Sequence, residues 1–147
     1  MPPHIGAAGL PAALEDLASR TGERTGLDVT VEEQNWPRDL PETVAIVLYR
    51  IAQECLQNVV KHSGATAACI TMSGNHDDLS LRVRDNGRGG LPQSASHTTG
   101  IGLTSMKERL KLIDGTLQIR SSTEGTSITA RIPLPEGMAN PVSPEAP

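Results

Sequence analysis

The stretch RIAQECLQNVVKHSG, residues 50–64, has helical periodicity, yet it sets a carboxylate and an amide along its apolar stripe. Followed back to residue 42, the stripe runs Val44, Val47, Ile51, Glu54 and Asn58, with Leu48, Cys55 and Val59 beside it. This spacing predicts one helix over 42–62, stopped by Gly64. Burying an unpaired amide costs about 1–3 kcal/mol, and a carboxylate costs more. Either Glu54 and Asn58 lie half exposed at a helix end, or something meets them there. Two oxygen donors one turn apart suit a hard cation such as magnesium. Lys61 and His62 follow at the same edge. Basic groups there favour the helix dipole, and they would also suit a phosphate.

On the N-terminal side, Leu10, Leu14 and Leu17 predict a helix opening at Pro11 and running to Arg20. LDVTVEE (27–33) alternates as a strand, and QNWPRDLP (34–41) reads as a loop. On the C-terminal side, ATAACITMSG (65–74) and LSLRVRD (79–85) form a predicted hairpin around NHDD. A long Gly/Ser/Thr-rich loop, 86–100, separates them from the helix IGLTSMKERLKLID (101–114), which Gly115 stops. TLQIRSS and TSITARIPL form a last hairpin around TEG, and the Pro-rich residues 135–147 read as a disordered tail. Strands paired in runs predict an α+β fold, a mixed and mostly antiparallel sheet with about three helices on one face. The expected organisation is a lead-in over 1–9, one domain over 10–134 and the tail.

Composition narrows the function classes. The chain has 147 residues, 37% hydrophobic and 20% charged, an ordinary globular balance. A net charge of -4 argues against nucleic acid, and Trp36 and Tyr49 are the only aromatics, too few for base stacking. Cys55 and Cys69 sit in apolar segments and read as buried free thiols of a cytoplasmic protein. No apolar run nears the roughly 20 residues of a membrane span, and the start lacks a signal-peptide pattern, so no membrane contact is expected.

Three further sites carry glycines. Leu79, Leu81, Val83 and Asp85 share one face, so an apolar strand face ends in a carboxylate just before NGRGG. Such a group can accept a hydrogen bond from an exocyclic amine, while Gly87, Gly89 and Gly90 let backbone approach a flat ligand. A plain turn ending a strand is the alternative. In TGIGLTSM, Gly100 and Gly102 precede a helix whose first N–H groups are free for a phosphate, although a lone GIG often only starts a helix. A P-loop is excluded, because no G-K-[ST] occurs. In EGTSITARI, Gly125 turns the chain and Thr126 shares the buried parity of Ile128, Ala130 and Ile132.

Together and in this order, ECLQN, DNGRG, GIG and Gly125-Thr126 resemble the N box and three glycine boxes of the ATP-binding domain of bacterial sensor histidine kinases. LYRIAQECLQNVVKHSGAT and GIGLTSMKERLKLIDGTLQI resemble the nitrate-sensor and DesK-like subfamily, and the resemblance covers about residues 10–134. It implies the Bergerat-type α/β sandwich with ATP and Mg2+ as ligands. Asn58 and Glu54 would hold the metal, and Lys61 and His62 would contact phosphates. Asp85 would take the adenine amine, with Thr126 assisting through a water, while Gly87, Gly89 and Gly90 admit the ring. Gly100, Ile101, Gly102, Leu103 and Thr104 would cradle phosphates, and 91–99 would be a short lid.

The chain also departs from the family. Gly90 stands where many relatives have an aromatic residue, and no phenylalanine box is present. The phosphoacceptor helices are not matched: His4 resembles the end of the segment that follows them, and His76 and His97 fall in predicted loops. The implied partners are therefore a dimerisation domain carrying the acceptor histidine and a response regulator. Little autophosphorylation is expected from this chain alone. The same fold also serves anti-sigma serine kinases and non-catalytic nucleotide-binding modules; upstream sensory segments would separate the first from a sensor kinase.

Overall fold

Apolar residues at alternate positions give the sheet one oily face, and the helices exist to cover it. The computed structural model describes residues 5, 9–87 and 101–134. Its elements are α1 (Gly9–Thr25), β1 (Asp28–Gln34), α2 (Glu42–Asn58), a π-helical turn (Val59–Ser63), β2 (Ala67–Gly74), β3 (Asp78–Asp85), α3 (Ile101–Lys111), β4 (Thr116–Ser122) and β5 (Gly125–Pro133). The five strands lie in the order β1-β2-β3-β5-β4, with β1 parallel to β2 and the other pairs antiparallel. This is the α+β two-layer sandwich predicted. The lead-in before Ile5, residues 6–8, the lid segment and the tail lie outside the described residues.

Register aligns the core. Met72 pairs with Leu81 and Ile70 with Val83, while Leu81 pairs with Ala130 and Val83 with Ile128, all of them buried. Onto this face α2 lays Leu48, Ile51, Ala52, Cys55 and Leu56. Each large aliphatic side chain so buried contributes about 1.5–3 kcal/mol. α3 adds Met106 and Leu110, and α1 packs Leu10, Leu14 and Leu17 against α2 and β1.

Four details differ from expectation. The buried stripe of α2 is centred on Leu48, Ile51 and Cys55; Val47, Glu54 and Asn58 are half-buried at its rim. The polar pair therefore borders the core instead of interrupting it. Second, the helix does not continue regularly to residue 62 but widens into the π turn after Asn58. At α spacing His62 would return to the face of buried Val59; in the wider turn Val60, Lys61 and His62 all face solvent. Gly64 does end this segment, at φ 69°. Third, α1 runs five residues past Arg20, because the Gly26 amide caps onto the Gly22 carbonyl at 2.8 Å. Fourth, Asp114 takes the left-handed conformation after α3, at φ 60°. Gly115 supplies space instead: a Cβ there would stand 2.7 Å from Ile132 Cγ2.

Candidate functional site

Asp85 closes the buried face of β3 and is itself buried. Its Oδ1 accepts a hydrogen bond from the Gly87 amide at 2.8 Å, so the carboxylate organises the turn that follows it. Its Oδ2 has no hydrogen-bond partner among the described residues. An apolar face thus ends in a carboxylate with one oxygen committed to backbone and one that no described residue meets.

α2 brings its polar rim to the same end. The Cys55 thiol is buried, and burial pushes its pKa well above the usual thiol range, with the charges of Glu54 and Asp85 adding to the effect. Cys55 Sγ also lies 3.8 Å from Met106 Sδ, which ties α2 to α3 beneath the site. Cys69 departs from expectation: it is half-buried, because its parity puts it on the sheet face away from the helices. Glu54 and Asn58 make no side-chain hydrogen bond among the described residues, so their oxygens are uncommitted. Lys61 and His62 are exposed on the π turn just beyond them.

The β4–β5 turn meets the end of β3. Gly125 has φ 141°, and a Cβ there would overlap the Asp85 carbonyl oxygen and stand 3.0 Å from its carbonyl carbon. Only glycine lets the two backbone segments approach so closely. Thr126 is buried, as its parity predicts, and its Oγ1 lies 3.2 Å from Ser121 Oγ across the hairpin. Ser121 was not singled out from sequence, although it shares the inward parity of Leu117 and Ile119.

Asn86 is the second residue that sequence reasoning passed over. Its Oδ1 accepts from the amides of Thr66 and Ala67, both at 3.0 Å, and its Nδ2 donates to Thr66 Oγ1 at 3.0 Å. Its own amide donates to the Ala67 carbonyl. One side chain thus staples the end of β3 to the start of β2, directly after the π turn. An Asn-Gly pair signals a turn, and nothing local to it announces this long-range staple.

Ile101, Gly102, Leu103 and Thr104 form the first turn of α3, the helix start expected of GIG. Gly89, Gly90 and Gly100 lie outside the described residues. His76, followed by Asp77, is exposed in the β2–β3 turn and not on a helix. Among the described residues, no three His, Cys, Asp or Glu side chains cluster to hold a metal, and no helix is long and apolar enough to cross a membrane.

Comparison with known proteins follows the same lines. Residues 43–136 match the family described as histidine kinase-, DNA gyrase B-, and HSP90-like ATPase. The chain is 35% identical over 140 residues to the sensor histidine kinase MctS of Rhizobium johnstonii, covering 94% of this chain and 30% of that protein. It is 32% identical over 128 residues to the nitrate/nitrite sensor protein NarX of Escherichia coli, covering 87% and 21%. With the histidine-protein kinase/phosphatase UhpB of Salmonella typhimurium it shares 41% over 108 residues, covering 70% and 21%. The chain thus spans less than a third of these relatives' length. A solved histidine kinase domain of the Erythrobacter litoralis blue-light activated kinase EL346 has the same fold, with TM-score 0.69 at 21% identity, covering 90% of this chain and 71% of that one.

Proposed function

We propose, for a chain that belongs to the histidine kinase-, DNA gyrase B-, and HSP90-like ATPase family, that it is the ATP-binding catalytic domain of a two-component sensor histidine kinase. The observation that carries this reading is Asp85: a buried carboxylate whose Oδ2 has no partner among the described residues, at the strand end that Gly125 and Gly87 meet. The exocyclic amine of adenine donates to that oxygen, and Gly87 leaves room for the ring. Gly89 and Gly90 extend that approach, and Thr126 helps orient the base through a water.

Glu54 and Asn58 fit a magnesium ion. They offer two uncommitted oxygens one helical turn apart, and magnesium commonly takes one or two protein oxygens together with waters and substrate phosphates. When bound, the ion neutralises phosphate charge. Lys61 and His62 contribute cationic donors from the solvent side, and Gly100 with the first turn of α3, Ile101, Gly102, Leu103 and Thr104, turns the positive end of a helix toward the phosphates. Positioning of the γ-phosphate is the chain's main contribution. The phosphate passes to a histidine of a dimerisation domain and then to a response regulator.

Calorimetric titration with Mg-ATP tests the reading. Saturable binding is expected, with a rise in thermal stability equivalent to about 2.7 kcal/mol at a hundredfold excess over Kd. EDTA should weaken it. No heat and no thermal shift at millimolar Mg-ATP would refute the proposal.

A further inference from the structure

The sheet face turned away from the helices carries charge that the nucleotide reading does not use. Arg82 and Arg84 on β3, Arg131 on β5 and Arg120 on β4 all point there and all are exposed. Register places them on one lattice. Arg84 and Arg120 both pair with Ser127 from opposite sides, and Arg82 pairs with Thr129, the residue two before Arg131. Neighbouring strands lie about 4.8 Å apart, so Arg84 and Arg120 stand about 10 Å apart along one row. Asp78 and Glu124 sit at the two ends of this three-strand block, and Glu32 of β1 shares the face two strands from Arg82, through Thr71.

Four of the chain's ten arginines and none of its three lysines lie on this face, in a chain whose net charge is -4. Among the described residues none of the four makes an ion pair or side-chain hydrogen bond. Clustered like charges repel and weaken a fold, so their collection here is a local disadvantage in the isolated domain. Their chemistry points to carboxylates. Guanidinium forks bind carboxylates two-pronged, and the Ser and Thr side chains between them are small enough to let such forks reach a flat partner. A lipid surface fits less well: among the described residues the exposed large apolar side chains, Val60 and Leu112, lie outside the sheet, and its strands offer nothing to insert. A polynucleotide fits less well too, because the domain as a whole repels it.

We propose that the open face of β3, β5 and β4 docks an acidic surface of another protein through Arg82, Arg84, Arg120 and Arg131. The partner contributes aspartate or glutamate side chains at strand-like spacing, and the contact lies on the opposite side of the sheet from the nucleotide site.

A fluorescein-labelled peptide of alternating glutamate and serine serves as the probe, read by anisotropy with the full chain at low and physiological salt. Saturable binding that weakens as salt rises is expected. Arg82→Glu with Arg131→Glu should weaken it about tenfold, since two attractions become repulsions. Arg82→Lys with Arg131→Lys should lose only part, because charge remains while the fork is lost. Melting temperatures report folding of each variant; if the glutamate pair melts early, Arg82→Gln with Arg131→Gln replaces it, with a smaller loss expected. Peptide binding that ignores these substitutions overturns the proposal. So does equal, arginine-dependent binding to phosphatidylserine vesicles or duplex DNA, which would make the face a general polyanion site.

Discussion

Gly125→Ala tests the joint between the β4–β5 turn and the end of β3. At φ 141° an alanine is strained wherever it sits, and its Cβ would overlap the Asp85 carbonyl oxygen and stand 3.3 Å from Asn86 Cα. Backbone strain of this kind costs about 1–3 kcal/mol. Forcing a methyl into closed space adds about 1–3 kcal/mol. The expected loss is therefore about 2–6 kcal/mol, against about 5–15 kcal/mol of total stability for an ordinary domain. Gly26→Ala is the internal control: its φ is 83°, yet nothing lies within 4 Å of the added Cβ, so only backbone strain acts. That change should cost about 1–2 kcal/mol. Urea unfolding of both variants beside the parent measures the difference, and ATP titration of Gly125→Ala should weaken with the displacement of Asp85. If Gly125→Ala loses no more stability than Gly26→Ala, the close approach of the two backbone segments is wrong, and with it the joining of two of the glycine sites.

Three other outcomes are expected. Asp85→Asn keeps an oxygen for the Gly87 amide but replaces the second carboxylate oxygen, an acceptor, with an NH2 group that only donates. Nucleotide affinity should fall about 10- to 100-fold, in line with about 1.5–3 kcal/mol for a charged hydrogen bond, while the melting temperature changes little. Asn86→Ala removes three side-chain hydrogen bonds that are exposed to solvent, so a loss of about 1–3 kcal/mol in urea unfolding is expected. The third concerns alkaline pH. The Cys55 pKa is raised in the folded state above its ordinary 9.0, so its contribution is complete below that value and declines as pH rises past it, when the unfolded thiol ionises first. Stability should fall by up to about 1.4 kcal/mol per pH unit above that point, and Cys55→Ala should flatten the slope.

Part of this was legible in the residues. Alternation in ATAACITMSG, LSLRVRD and TSITARIPL announced the three strands whose inner face the helices cover, because a strand with one buried face must alternate. Asp85 and Thr126 were assigned to the buried face by parity alone, and both are buried. Glu54 and Asn58 stood out because polar groups on an apolar stripe require a reason.

What chain order could not decide is which ends meet. Only the sheet order β1-β2-β3-β5-β4 brings the turn at Gly125 against the Asp85 backbone, 40 residues away in sequence, and only packing sets Cys55 Sγ of α2 against Met106 Sδ of α3. The Asn86 staple, the π turn that holds Lys61 and His62 in solvent, and the arginine lattice also arise from tertiary placement. Local periodicity reports which face of an element is buried. The neighbour that buries it depends on strand pairing and on steric room between distant backbones, which no short-range pattern encodes.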